Sequence, residues 1–187
     1  MNRRHLVARL ALGAAVLGAP AVRAQNAAPT APPEVAREWP QARLVGSGRL
    51  RFLGMRIYDA RLWSPSRPGA EDWDAQPLAL ELQYARNLVG ALIAERSLEE
   101  MRRQGPIDAA RAERWLAAMK ATFPDVREGD RLTGVHRVDD DAARFFHNGR
   151  LRGEWRDSDF ARQFFGIWLA PATSEPALRE ALLGQRT

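Results

Sequence analysis

Apolar and polar side chains alternate along the segment from Arg43 to Trp63, which glycines interrupt at positions 46, 48 and 54. Alternation with a period of two is typical of a β-strand whose two faces meet different surroundings. The glycine at position 54 predicts two strands, or one long bent strand, with a turn or bulge at that point. Alternation assigns three side chains of this segment to a core: Leu50, Phe52 and Leu53.

Arginine supplies all the charge of this segment before Asp59. Arg49 and Arg51 share the strand face opposite the predicted core side chains. A strand that carries arginines beside an apolar face is either a solvated outer strand or the wall of a pocket that holds an acid. The alternation pattern leaves both interpretations open.

The rest of the chain contains further strand patterns bounded by turn residues. Alternating or turn-bounded apolar runs predict four more strands: 77–84, 130–138, 143–147 and 150–155. The Asn148-Gly149 pair between the last two is the strongest short hairpin signal in the sequence. These two strands are therefore predicted to be antiparallel neighbours.

Helical spacing of apolar residues occurs in two blocks. The first block predicts two helices: 89–103 and 109–122. Asp108 is the predicted N-cap of the second helix, a third helix is predicted to start at Asp157 or Ser158, and Ser174 is predicted to cap a short fourth one. The order of strands, two helices, strands and two helices predicts an α+β fold, with an antiparallel sheet and helices gathered on one face.

The first 24 residues are typical of an export signal, with Arg3 and Arg4, a short apolar stretch, and small residues before Gln25. The apolar stretch is too short and interrupted to span a bilayer stably. The mature chain is therefore expected to be periplasmic or otherwise exported, without a transmembrane segment, by either the general or the twin-arginine route. Residues 25–38 are predicted to form a flexible leader, and 39–187 a single domain.

The net charge of +5 reflects the N-terminus, because residues 1–24 hold four arginines and no acid. Beyond them, 24 basic residues face 23 acidic ones, a net charge of +1. This balance argues against a nucleic-acid partner. Cysteine is absent and histidine is scarce, so we expect no thiolate or three-histidine metal site, and no cofactor.

Standard catalytic signatures are missing from the sequence, which has no P-loop, no complete dinucleotide-binding fingerprint and no nucleophile elbow. The predicted helix over 89–103 interleaves glutamates and arginines at spacings of three and four residues. It is either an exposed, salt-bridged face or a helix whose Arg96 turns inward to pair with an acid or a ligand head group.

A family resemblance rests on five longer stretches: GSGRLRFLGMRIYDARLW, IAERSLEEMRRQG, FPDVREGDRLTGV, FFHNGRLRGE and FARQFFGIWLAPATSEPALREALLG. Together they span about residues 41–184, and this combination resembles the bacterial, exported branch of the chalcone isomerase-like family. The resemblance implies an open-faced β-sandwich, in which helices cover a long antiparallel sheet and leave a cleft between sheet and helices.

The resemblance also implies two kinds of site. The plant enzymes close a ring by adding a phenolate to an enone, with an arginine and a threonine on the opening strands and a tyrosine and a lysine near a helix. Other members bind fatty acids, with an arginine and a tyrosine at the carboxylate. Here the arginine matches Arg49 or Arg51, no threonine occurs near Arg56, Ile93 replaces the tyrosine, and Lys120 lies on the next helix. Because Ile93 offers no proton or hydrogen bond to an enolate, ring closure lacks one electrophilic stabiliser.

Three hypotheses follow for the function. The first is a non-catalytic binding protein whose cleft holds an amphipathic acid, such as a fatty acid. The second is an intramolecular lyase or isomerase that acts on an enone. The third is a structural or partner-binding accessory protein of the envelope, with a cleft filled by its own side chains. The first hypothesis assigns ligand contacts to six residues: Arg49, Arg51, Arg56, Tyr58, Tyr84 and Arg96.

Overall fold

The computed structural model describes residues 29–185, so the predicted signal peptide lies outside the described residues, as does the start of the leader. The strands are β1 (Arg43–Phe52), β2 (Met55–Ser64), β3 (Leu78–Tyr84), β4 (Arg131–Arg137), β5 (Ala142–His147) and β6 (Arg150–Arg156). The helices are α1 (Pro33–Glu38), α2 (Gly90–Met101), α3 (Ala109–Thr122), α4 (Ser158–Leu169) and α5 (Pro176–Leu182). Within residues 29–185, no helix combines the length and apolar character needed to cross a bilayer.

All six strands join one antiparallel sheet in chain order, with α2 and α3 inserted between β3 and β4. The main core lies between one face of this sheet and helices α2 to α5. Its sheet side comes from alternate residues of β2 and β3, and its helix side is dominated by the aromatic face of α4. The α+β prediction, with an antiparallel sheet and helices on one face, is thereby confirmed.

Helix α1 covers part of the opposite face of the sheet, where Val35 packs with Trp63, Ala79 and Val135. The fully buried Glu34 carboxylate accepts hydrogen bonds from Arg131 Nη2 at 2.9 Å and Thr133 Oγ1 at 2.8 Å. The prediction of a flexible leader through residue 38 is therefore wrong for 33–38. Local composition missed this helix because its buried partners are about 100 residues away in sequence.

Glycines of β1 allow the close approach of the last helix. A Cβ atom on Gly46 would lie 2.1 Å from the Ala181 carbonyl oxygen, and one on Gly48 would lie 2.5 Å from Leu178 Cδ1. Leu178 and Leu182 face inward from α5, and both are buried. The predicted Ser174 cap is wrong, since Glu175 occupies the N-cap and makes no side-chain capping bond.

Two tight hairpins close the same end of the sheet, at its opposite edges. Leu53-Gly54 joins β1 to β2, and Asn148-Gly149 joins β5 to β6. In both turns the two central residues have positive φ, 49° and 79° in the first and 50° and 82° in the second. This pattern is that of the type I′ turn, whose twist matches the flanking strands.

The first hairpin departs from simple alternation at a bulge close to its turn. Ile57 is an extra residue on β2, because Leu50 pairs with Tyr58 whereas Arg51 pairs with Arg56. Such a bulge changes which face the following side chains occupy. The prediction that Phe52 and Leu53 are core residues is wrong, since their exposed fractions are 61% and 81%.

Candidate functional site: a cavity between sheet and helices

An open cavity of about 400 Å³ lies between the sheet and helices α2 and α4. This volume falls within the range of roughly 300–1,000 Å³ that is usual for small-molecule sites. Its walls are mainly aliphatic and aromatic. Representative apolar lining residues are Leu80, Leu82, Leu92, Ile93, Phe123, Phe164 and Ile167.

Two tyrosines place hydroxyl groups in this apolar wall. Tyr58 and Tyr84 pair across β2 and β3, and their rings meet edge to face with centroids 5.8 Å apart. The Tyr58 hydroxyl oxygen accepts a hydrogen bond of 2.9 Å from Trp168 Nε1. The Tyr84 side chain, only 3% exposed, has no hydrogen-bond partner among residues 29–185. A hydroxyl group in the cavity lining that has no protein partner is available to a ligand.

Both phenols are neutral at ordinary pH. Burial raises the pKa of Tyr84 well above the usual phenol value, and the neighbouring Tyr58 adds to the rise. Burial also raises the pKa of Tyr58, by more than the hydrogen bond from Trp168 lowers it. Each group therefore keeps its proton. The Tyr84 hydroxyl can donate that proton in a hydrogen bond to an acceptor in the cavity.

The predicted arginines separate into two groups. Arg51 lines the cavity, donates to the Gly54 carbonyl oxygen at 3.3 Å, and forms no ion pair with a carboxylate among the described residues. Arg49 and Arg56 lie outside the cavity lining and both hydrogen-bond to Asp59. Burial alone would raise the pKa of Asp59, but the two guanidinium groups outweigh it and lower that pKa.

The bulge at Ile57 explains why Arg56 shares the face of Asp59. Tyr58 faces the cavity, and its neighbour Asp59 points the other way. The extra residue lets Arg56 reach the face of Asp59, which Arg49 also occupies from β1. Arg49 and Arg56 are therefore removed from the proposed ligand contacts, because both guanidinium groups pair with Asp59 outside the cavity lining.

Arg96 lines the cavity but is not directed only inward. Its guanidinium group pairs with Glu99 and Glu100, and 65% of its side chain is exposed. Glu100 is buried, and its Oε2 has no hydrogen bond, although Arg103 Nε lies 3.6 Å away. Both sequence interpretations of this helix hold in part, because Arg96 belongs to a salt-bridged face and also to the cavity wall.

Sequence reasoning missed several polar members of the site. The cavity lining also includes Ser97, Glu100, Arg152, Trp168 and Glu175. Helical spacing alone predicts Trp168 as a core residue, and no local signal indicates that its indole reaches Tyr58. The bulge that brings Arg152 to the cavity lies opposite the step from Phe145 to Phe146, and alternation does not predict it either.

The positions identified through the family resemblance differ in their location relative to the cavity. Ile93 lines the cavity, at a place where the plant enzymes are expected to carry a tyrosine. Lys120 lies outside the cavity lining and pairs with Glu95 on the surface. Asp157 caps α4, accepting from Phe160 N at 2.9 Å and from Trp115 Nε1 at 2.9 Å. The site therefore joins an apolar chamber to neutral phenols and an unpaired guanidinium group, which suits binding of an amphipathic acid.

Comparison with known proteins supports the fold described above, an antiparallel sheet covered by helices on one face. An Arabidopsis thaliana fatty-acid binding protein of known crystal structure superimposes with a TM-score of 0.55 at 12% identity, covering 78% of this chain and 88% of the plant chain. An uncharacterized protein of Haemophilus influenzae is 27% identical over 141 residues, which is 75% of this chain and 67% of the relative. The sequence model described as chalcone isomerase-like matches residues 32–184. The chain therefore belongs to the chalcone isomerase-like family.

Proposed function

We propose that this protein binds a long-chain amphipathic acid, such as a fatty acid, in the cavity between its sheet and helices. The acyl chain occupies the apolar chamber, and the carboxylate lies near Arg51 and the Tyr84 hydroxyl. The observation that carries the proposal is that the same cavity lining holds Tyr84, whose hydroxyl has no hydrogen-bond partner in residues 29–185, and Arg51, whose guanidinium group pairs with no carboxylate there. Fatty-acid binding by the Arabidopsis thaliana structure, as its description states, supports the proposal by analogy of fold.

The energetics favour such a ligand. Each methylene group transferred from water to an apolar chamber contributes about 0.8 kcal/mol. A hydrogen bond to a charged carboxylate contributes about 1.5–3 kcal/mol when the pair is shielded from water. The apolar chamber therefore supplies most of the affinity, and Arg51 and Tyr84 set the orientation of the acid.

Glu100 and Glu175 also line the cavity, so the site is not simply cationic. Glu100 is already paired with Arg96 and faces Arg103, which reduces its repulsion of a ligand carboxylate. The carboxylate is therefore assigned to the β1–β2 side of the cavity, near Arg51. The methyl end of the acyl chain then lies on the Arg96 side of the cavity.

Binding of a fluorescent long-chain fatty acid to the purified full chain tests the proposal. We expect Arg51→Gln to weaken binding by about tenfold, the equivalent of roughly 1.4 kcal/mol. We expect Tyr84→Phe to weaken binding by about fivefold, through loss of one donor. Arg49→Gln is the matched control, because this arginine lies on the same strand but outside the cavity lining.

Failure of the wild-type protein to bind any long-chain acid, or equal losses for Arg51→Gln and Arg49→Gln, contradicts the assignment. Replacing the acid by its methyl ester gives an independent measure, since the ester keeps the acyl chain and removes the charge. The proposed site predicts weaker binding of the ester to wild type, and a smaller difference between acid and ester in Arg51→Gln.

The proposal includes export, as the first 24 residues indicate. Cell fractionation of the tagged full chain tests it, with the processed form expected outside the cytoplasm. Retention of the unprocessed chain in the cytoplasm would contradict export without affecting the cavity. Of the other hypotheses, an accessory protein with a self-filled cleft disagrees with the open cavity, and an isomerase gains no support from the surface position of Lys120.

A further inference from the structure

Five of the six large apolar side chains that are exposed in the described range come from two neighbouring segments beside the cavity. Phe52, Leu53 and Met55 come from the tip of the β1–β2 hairpin, with exposed fractions of 61%, 81% and 45%. Val89 and Leu92 come from the start of α2, with exposed fractions of 49% and 60%. These five residues define the apolar tip. Phe52, Val89 and Leu92 also line the cavity and form its rim, whereas Leu53 and Met55 lie outside the lining.

Two arginines that lack a carboxylate partner contact this apolar tip. Arg51 donates to the Gly54 carbonyl oxygen at 3.3 Å, and Arg86 Nη1 lies 3.0 Å from Met55 Sδ. Neither guanidinium group forms an ion pair with a carboxylate of residues 29–185. The surface therefore combines exposed apolar side chains with uncompensated positive charge, which suits the anionic interface of a lipid bilayer.

The residue at the turn is also unusual. Leu53 has a φ of 49°, a left-handed conformation in which a bulky apolar residue is uncommon. The equivalent position in the second hairpin holds Asn148 with a φ of 50°, which is the residue expected there. The fold alone thus favours asparagine at position 53, and an exposed leucine needs another explanation.

We propose that the apolar tip docks the protein on an anionic lipid bilayer, with the cavity rim against the membrane. Leu53 and Met55 enter the interfacial region, and Arg86, which lies outside the cavity lining, is at the level of the lipid phosphates. The inference goes beyond the proposed function, and either can fail while the other holds. If both hold, an acyl ligand passes between bilayer and cavity along the rim at Phe52 and Leu92.

Co-sedimentation of the full chain with vesicles tests the docking. The probes are vesicles of phosphatidylcholine alone and vesicles that also contain phosphatidylglycerol. We expect wild type to bind the anionic vesicles more strongly, Leu53→Asn to weaken this binding by about tenfold, and Arg86→Gln to weaken it by about fivefold. Leu151→Asn is the matched control, because Leu151 is an exposed leucine of β6 at the opposite edge of the sheet.

Several outcomes overturn the proposal: wild type remains in solution with both kinds of vesicle, or Leu53→Asn binds as wild type does, or Leu151→Asn loses as much binding. Sedimentation velocity without lipid adds a further criterion. A dimer that forms at higher protein concentration and is lost in Leu53→Asn assigns the tip to a second copy of the chain instead. Met55→Ser repeats the test at a second tip residue that does not line the cavity.

A ligand measurement separates this inference from the proposed function. Leu53→Asn and Arg86→Gln lie outside the cavity lining, so both are expected to bind a fluorescent fatty acid in lipid-free solution with wild-type affinity. Loss of vesicle binding with retained acid binding supports the docking surface. Loss of both properties in Leu53→Asn means that the hairpin shapes the cavity, and it contradicts a separate docking role.

Discussion

The two hairpin turns at one end of the sheet have matching backbones and opposite side-chain chemistry. Leu53-Gly54 and Asn148-Gly149 have φ values within 3° of each other at corresponding positions. Asn148 Oδ1 accepts from Arg131 N at 2.8 Å, and its Nδ2 donates to Asp130 Oδ1 at 2.8 Å. Leu53 makes no comparable bond among the described residues and is 81% exposed.

The comparison distinguishes the backbone requirement of the turn, which both hairpins meet, from the side-chain chemistry at the surface, in which they differ. A two-residue hairpin requires positive φ at both central positions, which asparagine and glycine adopt at low cost. The second hairpin meets this need and also ties its tip to β4. The first hairpin meets it with Leu53, an exposed leucine in the left-handed conformation.

Glu34→Ala is expected to have the largest effect on stability. Asn148 bonds to the backbone of Arg131, and the Arg131 side chain is held by the buried Glu34 carboxylate. Removing that carboxylate leaves Arg131 and Thr133 without their buried acceptor, which costs about 3 kcal/mol of unfolding free energy. Urea denaturation measures the loss. Glu34→Gln, which keeps an acceptor for Thr133, is the control and is expected to lose less.

Asn148→Leu gives the polar turn the side chain of the apolar one. The change places leucine in a left-handed conformation and removes the side-chain hydrogen bonds to Arg131 N, Asp130 and His147, so we expect a loss of about 2 kcal/mol. Chemical denaturation again gives the value. An unchanged unfolding midpoint would show that the two turns are interchangeable and would remove the basis of the comparison.

Leu53→Asn makes the reverse change, and its expected effect is smaller and of opposite sign. Asparagine tolerates the left-handed conformation better, so the free energy of unfolding should rise by about 0.5–1 kcal/mol. Thermal and urea unfolding provide the measurement. A destabilised variant would mean that Leu53 packs against something essential to the fold, contrary to its exposure.

The contrast also explains which features the sequence could predict. Asn148-Gly149 was predictable because its residue types match the turn they form. Leu53 was misassigned to the core because alternation cannot show that a strand has ended at Phe52. The bulge at Ile57 was equally invisible, and it decides that Arg56 joins Asp59 rather than the cavity.

The polar groups of the cavity show a second limit of prediction from sequence, which is that local patterns do not reveal contacts between distant residues. Tyr58 and Tyr84 were predictable as candidates, because both are polar aromatic residues on well-defined strands. The bond from Trp168 to Tyr58 joins residues 110 positions apart and depends on how α4 lies on the sheet. Helix α1 was missed for the same reason, since long-range contacts of Glu34, and not its Pro/Ala-rich surroundings, hold it in place.

The smallest expected effect is on the pKa of Asp130, which accepts a hydrogen bond from the Asn148 side chain. The hydrogen bond from Asn148 is the main cause that lowers the pKa of Asp130, followed by the backbone N–H of Arg127. A carboxyl group with a depressed folded-state pKa adds stability above its unfolded pKa of about 3.9, and this stability is lost as the pH falls through the folded-state pKa. Asn148→Leu should raise the pKa of Asp130, so its deficit in unfolding free energy relative to wild type should narrow below about pH 4.

Carboxyl chemical shifts followed by NMR across this pH range measure the change directly. Asp59 in the other hairpin is the internal control, because its pKa is lowered by Arg49 and Arg56 and not by the second turn. An Asp130 titration that is identical in wild type and Asn148→Leu would contradict the role of the turn. In that case the depressed pKa of Asp130 would be due to Arg127 and His147, and the polar anchor of the second hairpin would be weaker than its geometry indicates.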